Sequence, residues 1–247
     1  MLPIAIYNTD TIAPHLAVEH GQYPDMFVRS LARQAPLQRF ERFDVNREQC
    51  PQSLDGFSGV IITGSQSAAY DHDPWINRLK QHIVDLVAQR VPVVGICFGH
   101  QVIHQALGGR VEKATAGWCV GTHYNRLTDR AKSLGFAGDG FHLLSSHQDQ
   151  VQAMAPGAEC LASTPDCPIA MTYIAPSVLT FQGHPEFTLA YARALMEGRV
   201  RAIGDKKVQG ALATLTEPLD DERVLSWILR FLHFGAQVGD GAVTAEL

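Results

Sequence analysis

Three short runs limit what this chain can fold into: residues 3–7 (PIAIY), 59–63 (GVIIT) and 91–97 (VPVVGIC). Each is almost continuously apolar instead of alternating. A strand of that kind has to be covered on both faces, as strands of a parallel α/β sheet are. Between the last two runs lie residues 75–90, where Ile76, Leu79, Ile83, Leu86 and Val87 recur at helical spacing. Asp73 before Pro74 gives that helix an N-cap with proline at its first position. Strand, helix and strand within about forty residues make a βαβ unit, so part of the sheet is parallel.

Further along, Val102, Ile103, Ala106 and Leu107 form the stripe of a short helix that Gly108-Gly109 ends. Residues 112–168 mix short strands with Gly-, Asp- and Ser-rich loops. Residues 169–173 and 177–181 read as a hairpin around Ala175-Pro176. Residues 188–203 and 221–234 read as amphipathic helices. In the second, Val224, Leu225, Ile228, Phe231 and Leu232 share a face that is expected to be core, with a dimer face as the lesser reading. The tail after Gly235 is expected to be loose.

No repeat or linker interrupts the 247 residues, so one domain over 1–247 is the simplest account. Hydrophobic residues are 46 % and charged residues 18 %, which supports a large core and argues against disorder. The net charge of −5 and the lack of a Lys/Arg run speak against nucleic acid or an anionic membrane as partner. No apolar stretch approaches the roughly 20 residues of a membrane helix, and MLPIAIYNTD does not read as a signal peptide. Five scattered Cys with no C-x-x-C pair fit free thiols in a reducing cytoplasm.

The strongest local feature is Gly95-Ile96-Cys97-Phe98-Gly99, an apolar strand running through G-x-C-x-G into a helix. This is a nucleophile elbow with Cys in the Ser position. A sharp turn lifts the nucleophile out of the sheet, and the flanking glycines let strand and helix approach without Cβ clashes. At a helix N-terminus the dipole and free N–H groups favour thiolate over thiol. The Phe98 N–H points where an oxyanion would form. A thiolate nucleophile needs a base, and the base needs an orienting partner. Gln182-Gly183-His184-Pro185-Glu186, at the end of the 177–181 strand, supplies both. Pro185 biases His184 to an extended conformation that brings the two side chains to one side. Both motifs fall at C-terminal ends of strands, where open α/β sheets carry their sites.

Together with these, Ile61-Ile62-Thr63-Gly64-Ser65 and Ser146-His147-Gln148-Asp149-Gln150-Val151 make the chain similar to the class I (triad-type) glutamine amidotransferase superfamily, in particular to stand-alone GMP-synthetase-like proteins, a group that includes γ-glutamyl peptidases. His184 follows Cys97 by 87 residues, in the order of that family. The resemblance covers about residues 55–190, with C-terminal helices over about 188–235. It implies a flavodoxin-like three-layer α/β sandwich with a mostly parallel central sheet and Cys97 at its C-terminal edge. It implies hydrolysis of a γ-glutamyl amide through a Cys97 thioester, with His184 moving the proton and Glu186 orienting it. The oxyanion hole would be Phe98 N–H with an N–H from the Gly64-Ser65 turn. Gln101, Ser146 and His147 would hold the glutamyl group. No cofactor and no metal are expected.

Two departures bear on specificity. Relatives usually carry an acidic residue within the segment Gly117-Trp118-Cys119-Val120-Gly121; Cys119 changes how the substrate's amino group would be read, and Trp118 would wall the pocket or pack. The turn Gly64-Ser65-Gln66 lacks the Gly-Gly-Pro of many synthetase-linked members. The chain has no Walker-type phosphate loop, so an amidotransferase role would need a separate synthetase or acceptor subunit; a homo-oligomer stays open. The alternatives are a γ-glutamyl peptide or amine hydrolase with no acceptor and a non-catalytic γ-glutamyl-binding subunit. His100 and His104 could share a helix face, but Gln101 replaces the base of a zinc-binding H-E-x-x-H, and Asp71-His72-Asp73 reads as capping and solvation.

Overall fold

A computed structural model of the chain describes residues 1–51 and 53–235; the tail expected to be loose lies outside them. Strands β1 (Ile4–Tyr7), β2 (Phe40–Phe43), β3 (Gly59–Ile62) and β4 (Val93–Ile96) are interleaved with helices α1 (Pro14–His20), α2 (Tyr23–Leu31) and α3 (Pro74–Ala88). Helix α4 (Phe98–Ala106) leaves β4 directly. The middle of the chain holds β5 (Arg110–Lys113), β6 (Cys119–Leu127), helix α5 (Asp129–Ser133), β7 (Gly140–His147), β8 (Asp149–Ala153), β9 (Ala158–Ser163), β10 (Met171–Ile174) and β11 (Val178–Phe181). Helices α6 (Leu189–Gly198), α7 (Val200–Ile203), α8 (Asp205–Ala213) and α9 (Asp221–Phe234) follow.

Nine strands form the central sheet in the order β2-β1-β3-β4-β11-β10-β9-β6-β7. Pairing is parallel from β2 to β11 and antiparallel from there to β7, so the sheet is mixed, with its parallel half around β4. The βαβ unit of β3, α3 and β4 is present as read, and β10 and β11 form the expected hairpin. Strands β5 and β8 make a separate ladder.

Alternation along the strands sorts the core into layers. Ile4, Ile6, Ile61, Val94, Ile96 and Phe181 face α2 and α9, meeting Phe27, Leu31, Trp227, Ile228 and Phe231. Ala5, Tyr7, Val60, Ile62 and Val93 face α3 and α4, meeting Ile76, Leu79, Ile83, Phe98 and Val102. A sheet covered on both faces in this way is the three-layer sandwich. Each fully buried large side chain contributes on the order of 1.5–3 kcal/mol. The α9 stripe is therefore core, and Val224, Leu225, Ile228, Phe231 and Leu232 are all buried. A third cluster, with Tyr23, Val120, Leu144, Phe187, Tyr191 and Leu195, packs the C-terminal helices over the end of the sheet.

Several elements differ from the sequence reading. The helix expected over 188–203 is broken at Arg199, whose φ of −110° and ψ of 15° end α6 and start α7. Asp73 holds the N-cap position of α3 and Pro74 starts it, but the Asp73 side chain makes no capping hydrogen bond. Helices α1, α2, α5 and α8 and the edge strand β2 have no counterpart in the sequence reading. Among the described residues no helix is long and apolar enough to cross a membrane.

Candidate active site

The site starts from the turn between β4 and α4. Cys97 sits at the N-cap of α4 with φ 53° and ψ −101°, a backbone region that costs a non-glycine residue on the order of 1–3 kcal/mol. The surrounding structure over-determines this conformation. Cys97 N–H donates to Phe181 O at 2.8 Å and Gly99 N–H donates to Thr63 O at 3.2 Å. A Cβ on Gly95 would lie 2.6 Å from the Gly99 backbone, and one on Gly99 would lie 2.3 Å from Ile62 O. The two glycines are what let strand and helix close to this distance.

His184 arrives from the end of β11. Its N–H donates to Leu144 O at 2.8 Å, an antiparallel bridge to β7 that fixes its backbone. Its Nδ1 is 2.8 Å from Glu186 Oε1. A carboxylate only accepts, so Nδ1 carries the hydrogen and Nε2 is left for Cys97, whose sulfur is close enough to favour the imidazolium. Cys97, His184 and Glu186 are 5 %, 3 % and 1 % exposed. Burial opposes the imidazolium, but the Glu186 carboxylate and the Cys97 sulfur outweigh it and raise the His184 pKa to about 10. Oε2 of Glu186 is buried without a protein partner, which leaves His184 as the group that compensates its charge. Gly64 lies against the imidazole edge: a Cβ there would come to 3.0 Å from His184 Cε1. Thr9 Oγ1 donates to Gly64 O at 2.8 Å and holds that turn.

Cys97 opens onto a cavity of about 600 Å³. One wall is the 65–71 segment, with Ser65, Gln66 and Tyr70; the facing wall is the end of β7 and the start of β8, with Ser146, His147 and Asp149. Gln101 forms the floor beside Cys97, and Lys113, Trp118 and Arg199 complete the rim. Gln101 Nε2 donates to Asp149 O at 2.8 Å and to Gln182 Oε1 at 3.2 Å. His147 Nδ1 donates to Asp149 O at 3.1 Å, and burial drives its pKa down to about 3. Ser146 Oγ is buried and has no protein partner. Burial also raises the Asp149 pKa, against a hydrogen bond from Tyr70.

Of the residues singled out in the sequence, Cys97, Ser65, Gln101, Trp118, Ser146 and His147 share this cavity. His184 and Glu186 stand behind Cys97, and Gly64 edges His184. The Phe98 side chain turns away into the α3–α4 layer against Trp75, leaving its backbone at the helix start. Cys119 does not line the cavity. It is buried beside it, paired across the strands with His147, and its Sγ is 3.4 Å from His123 Nε2; burial pushes the thiol up to about 12. Lys113, Tyr70 and Arg199 were missed, because distant segments bring them to the rim and no motif marks them.

His100 and His104 point into the sheet. Ala155 N–H donates to His104 Nδ1 at 3.0 Å, so Nε2 carries the hydrogen and donates to Thr172 Oγ1 at 2.9 Å. Thr172 and Thr180 hydroxyls are 2.6 Å apart, and Thr180 Oγ1 is 2.7 Å from His100 Nδ1. Asp71 accepts from Ala68 N–H at 2.8 Å, capping a turn. Among the described residues no cluster of three or more His, Cys, Asp or Glu is arranged to hold a metal.

The family described as glutamine amidotransferase class-I matches residues 21–198. A glutamine amidotransferase-like protein of Schizosaccharomyces pombe is 29 % identical over 244 residues, spanning 93 % of this chain and 98 % of that one. γ-Glutamyl peptidase 3 of Arabidopsis thaliana is 31 % identical over 176 residues, 68 % of this chain and 70 % of that one. The crystal structure of a glutamine amidotransferase from Thermotoga maritima superposes with a TM-score of 0.71 at 18 % identity, covering 94 % of this chain and 96 % of its own.

Proposed function

The chain belongs to the class-I glutamine amidotransferase family, and from that premise we propose that it hydrolyses γ-glutamyl amide bonds through a thioester on Cys97. The observation that carries the reading is His184, hydrogen-bonded to Glu186 on one side and set against Cys97 on the other, directly behind the cavity onto which Cys97 opens.

His184 already holds the proton of the pair at Nε2, and the Cys97 sulfur attacks the γ-carbonyl carbon. The carbonyl oxygen becomes an oxyanion beside the Phe98 N–H and the Gly64-Ser65 turn. The C–N bond then breaks, and the nitrogen leaves with the proton that His184 returns. A water molecule gives its proton to His184 and its oxygen to the thioester carbon. The C–S bond breaks, glutamate departs, and the sulfur is left beside His184, which is again protonated. Glu186 holds the imidazole tautomer and balances the imidazolium throughout. Ser146, His147 and Gln101 hold the glutamyl end, and Trp118 closes the rim. Cys119 lies behind that wall and acts on it only through packing. The whole chain, 1–247, works as one catalytic domain in the cytoplasm.

A second reading is a γ-glutamyl peptide or amine hydrolase that needs no acceptor chain. It is favoured by the cavity, whose 600 Å³ lies in the range that takes ligands of drug size. The test is a panel of glutamine, γ-glutamyl peptides, γ-glutamyl amines and a γ-glutamyl anilide with purified protein and Cys97→Ser. Turnover lost in the variant is expected. Turnover that survives Cys97→Ser overturns the mechanism. No turnover with any compound, together with Cys97 alkylation no faster than that of the other thiols, would leave a binding subunit. Glutamine turnover that appears only with a synthetase chain would favour the amidotransferase form.

A further inference from the structure

The proton path decides which side of Cys97 the leaving group occupies. The leaving nitrogen must receive its proton from His184 Nε2, so it passes on the His184 side. That flank is built of Phe187, stacked on the imidazole, then Tyr23 and Tyr191. A second cavity of about 180 Å³ opens along it, lined by Tyr23, Tyr191, Ile12 and Asp10. The two cavities share two residues, Gln66 and Arg199, so they abut there. The glutamyl-side groups Ser146, His147 and Asp149 belong to the large cavity alone.

Arg199 is therefore the cation at the junction, on the leaving-group flank. It is half-buried, and among the described residues its guanidinium has no ion-pair partner. The backbone fixes it in place: it sits at the break between α6 and α7, and its carbonyl accepts from Ala202 N–H at 2.9 Å and Ile203 N–H at 3.0 Å. Asp10, the nearby anion, has its oxygens committed elsewhere: Oδ1 accepts from Thr11 N–H at 2.8 Å and Oδ2 from Gln66 N–H at 3.0 Å. A planar guanidinium of this kind matches a carboxylate with two parallel hydrogen bonds.

We infer that Arg199 reads a carboxylate on the leaving amine, so that the preferred substrates are γ-glutamyl peptides with a free C-terminus and not glutamine. This rests on the γ-glutamyl hydrolase reading above and adds the substrate class to it. Glutamine releases ammonia and offers Arg199 nothing to bind. A γ-glutamyl dipeptide extends its carboxylate along the small cavity while its nitrogen stays at His184.

The test compares γ-glutamyl-alanyl-glycine with its C-terminal amide in the wild type, Arg199→Ala and Arg199→Lys. Wild type is expected to favour the free acid in kcat/KM by about tenfold or more, the scale of a charge-assisted pair in a partly desolvated site. Arg199→Ala should bring the ratio close to one, mainly through KM, and Arg199→Lys should keep part of it. Equal rates on acid and amide in the wild type, or an undiminished preference in Arg199→Ala, overturn the inference while leaving the hydrolase reading intact. If no compound is turned over, the hydrolase reading fails instead. Calorimetric binding of the same acid and amide to Cys97→Ala then still reads the preference, and equal affinities overturn it.

Discussion

The ring of Phe187 lies flat on the imidazole of His184, with centroids 3.8 Å apart and planes within 12°. Tyr23 lies beside the pair, its ring 5.9 Å from Phe187 and 6.4 Å from His184 in near-parallel planes. Glu186 fixes one ring nitrogen, but one hydrogen bond still lets the imidazole tilt about that contact; the flat ring behind it removes that freedom. The same face also attracts the imidazolium, by about 0.5–2 kcal/mol in a desolvated site. Phe187→Leu keeps an apolar filling and loses the flat face. A fall in kcat of about three- to tenfold with little change in KM is expected from losing that attraction. Steady-state kinetics decide, and an unchanged kcat would show that Glu186 alone holds the base.

Three buried histidines should titrate in opposite directions. His184 is held protonated to about 10 because Glu186 and Cys97 outweigh burial. His147 and His104 are driven down by burial to about 3 and about 4. Against an unfolded value of about 6.5, the signs follow. The His184 contribution to stability is complete below pH 6.5 and is lost as pH rises towards 10. The contributions of neutral His147 and His104 are complete above pH 6.5 and are lost as pH falls towards their folded values. Carbon-labelled histidine NMR should show one imidazolium persisting at pH 8 and at least two rings still neutral at pH 5. Glu186→Gln should move the first of these down and leave the others in place. A His184 that is neutral at pH 8 would remove the imidazolium from the resting site.

What the sequence reveals follows from how locally each feature is determined. The elbow is legible because β4, Cys97 and α4 are contiguous, and because only glycine fits at Gly95 and Gly99. The α9 stripe is legible because Val224, Leu225, Ile228 and Phe231 repeat at helical spacing beneath one face of the sheet. The cavity rim is not. Lys113 comes from β5, Tyr70 from the loop after β3 and Arg199 from a helix break, and only the folded chain brings them together. The break at Arg199 interrupts an apolar pattern that runs on through Val200 and Ile203, so periodicity passes over it. Strand β2 was missed because Phe40–Phe43 is a short edge strand with charged residues at its centre.

Gly99 and Gly210 make a sharp stability contrast. A methyl group on Gly99 would meet Ile62 O at 2.3 Å, and neither backbone can retreat without opening the sheet. Gly99→Ala should cost on the order of 4 kcal/mol or more. Gly210 lies in α8, and a Cβ there would meet nothing within 4 Å. Gly210→Ala should stabilise by about 0.5–1 kcal/mol through helix propensity alone. Urea midpoints of the two variants check the pair. A mild effect of Gly99→Ala would mean that the elbow has slack and that close approach is not what enforces the Cys97 conformation.

Lys207 on α8 is a remote brace for the cavity rim. Its Nζ donates to Ala116 O at 3.0 Å and to Trp118 O at 2.6 Å, tying α8 to the loop that carries Trp118. The side chain is exposed, so these bonds add little to global stability. Their effect is to keep Trp118 at the mouth of the cavity, where loop order is cheaply lost. Lys207→Met retains the apolar stem and removes the donors. It should raise KM for γ-glutamyl substrates by about three- to tenfold, the scale of one or two exposed charged hydrogen bonds, with kcat nearly unchanged. Tm should shift by no more than about 4 °C. A drop in kcat at constant KM would instead mean that the 114–118 loop reaches the reacting atoms, and the rim would have to be counted with Cys97 and His184.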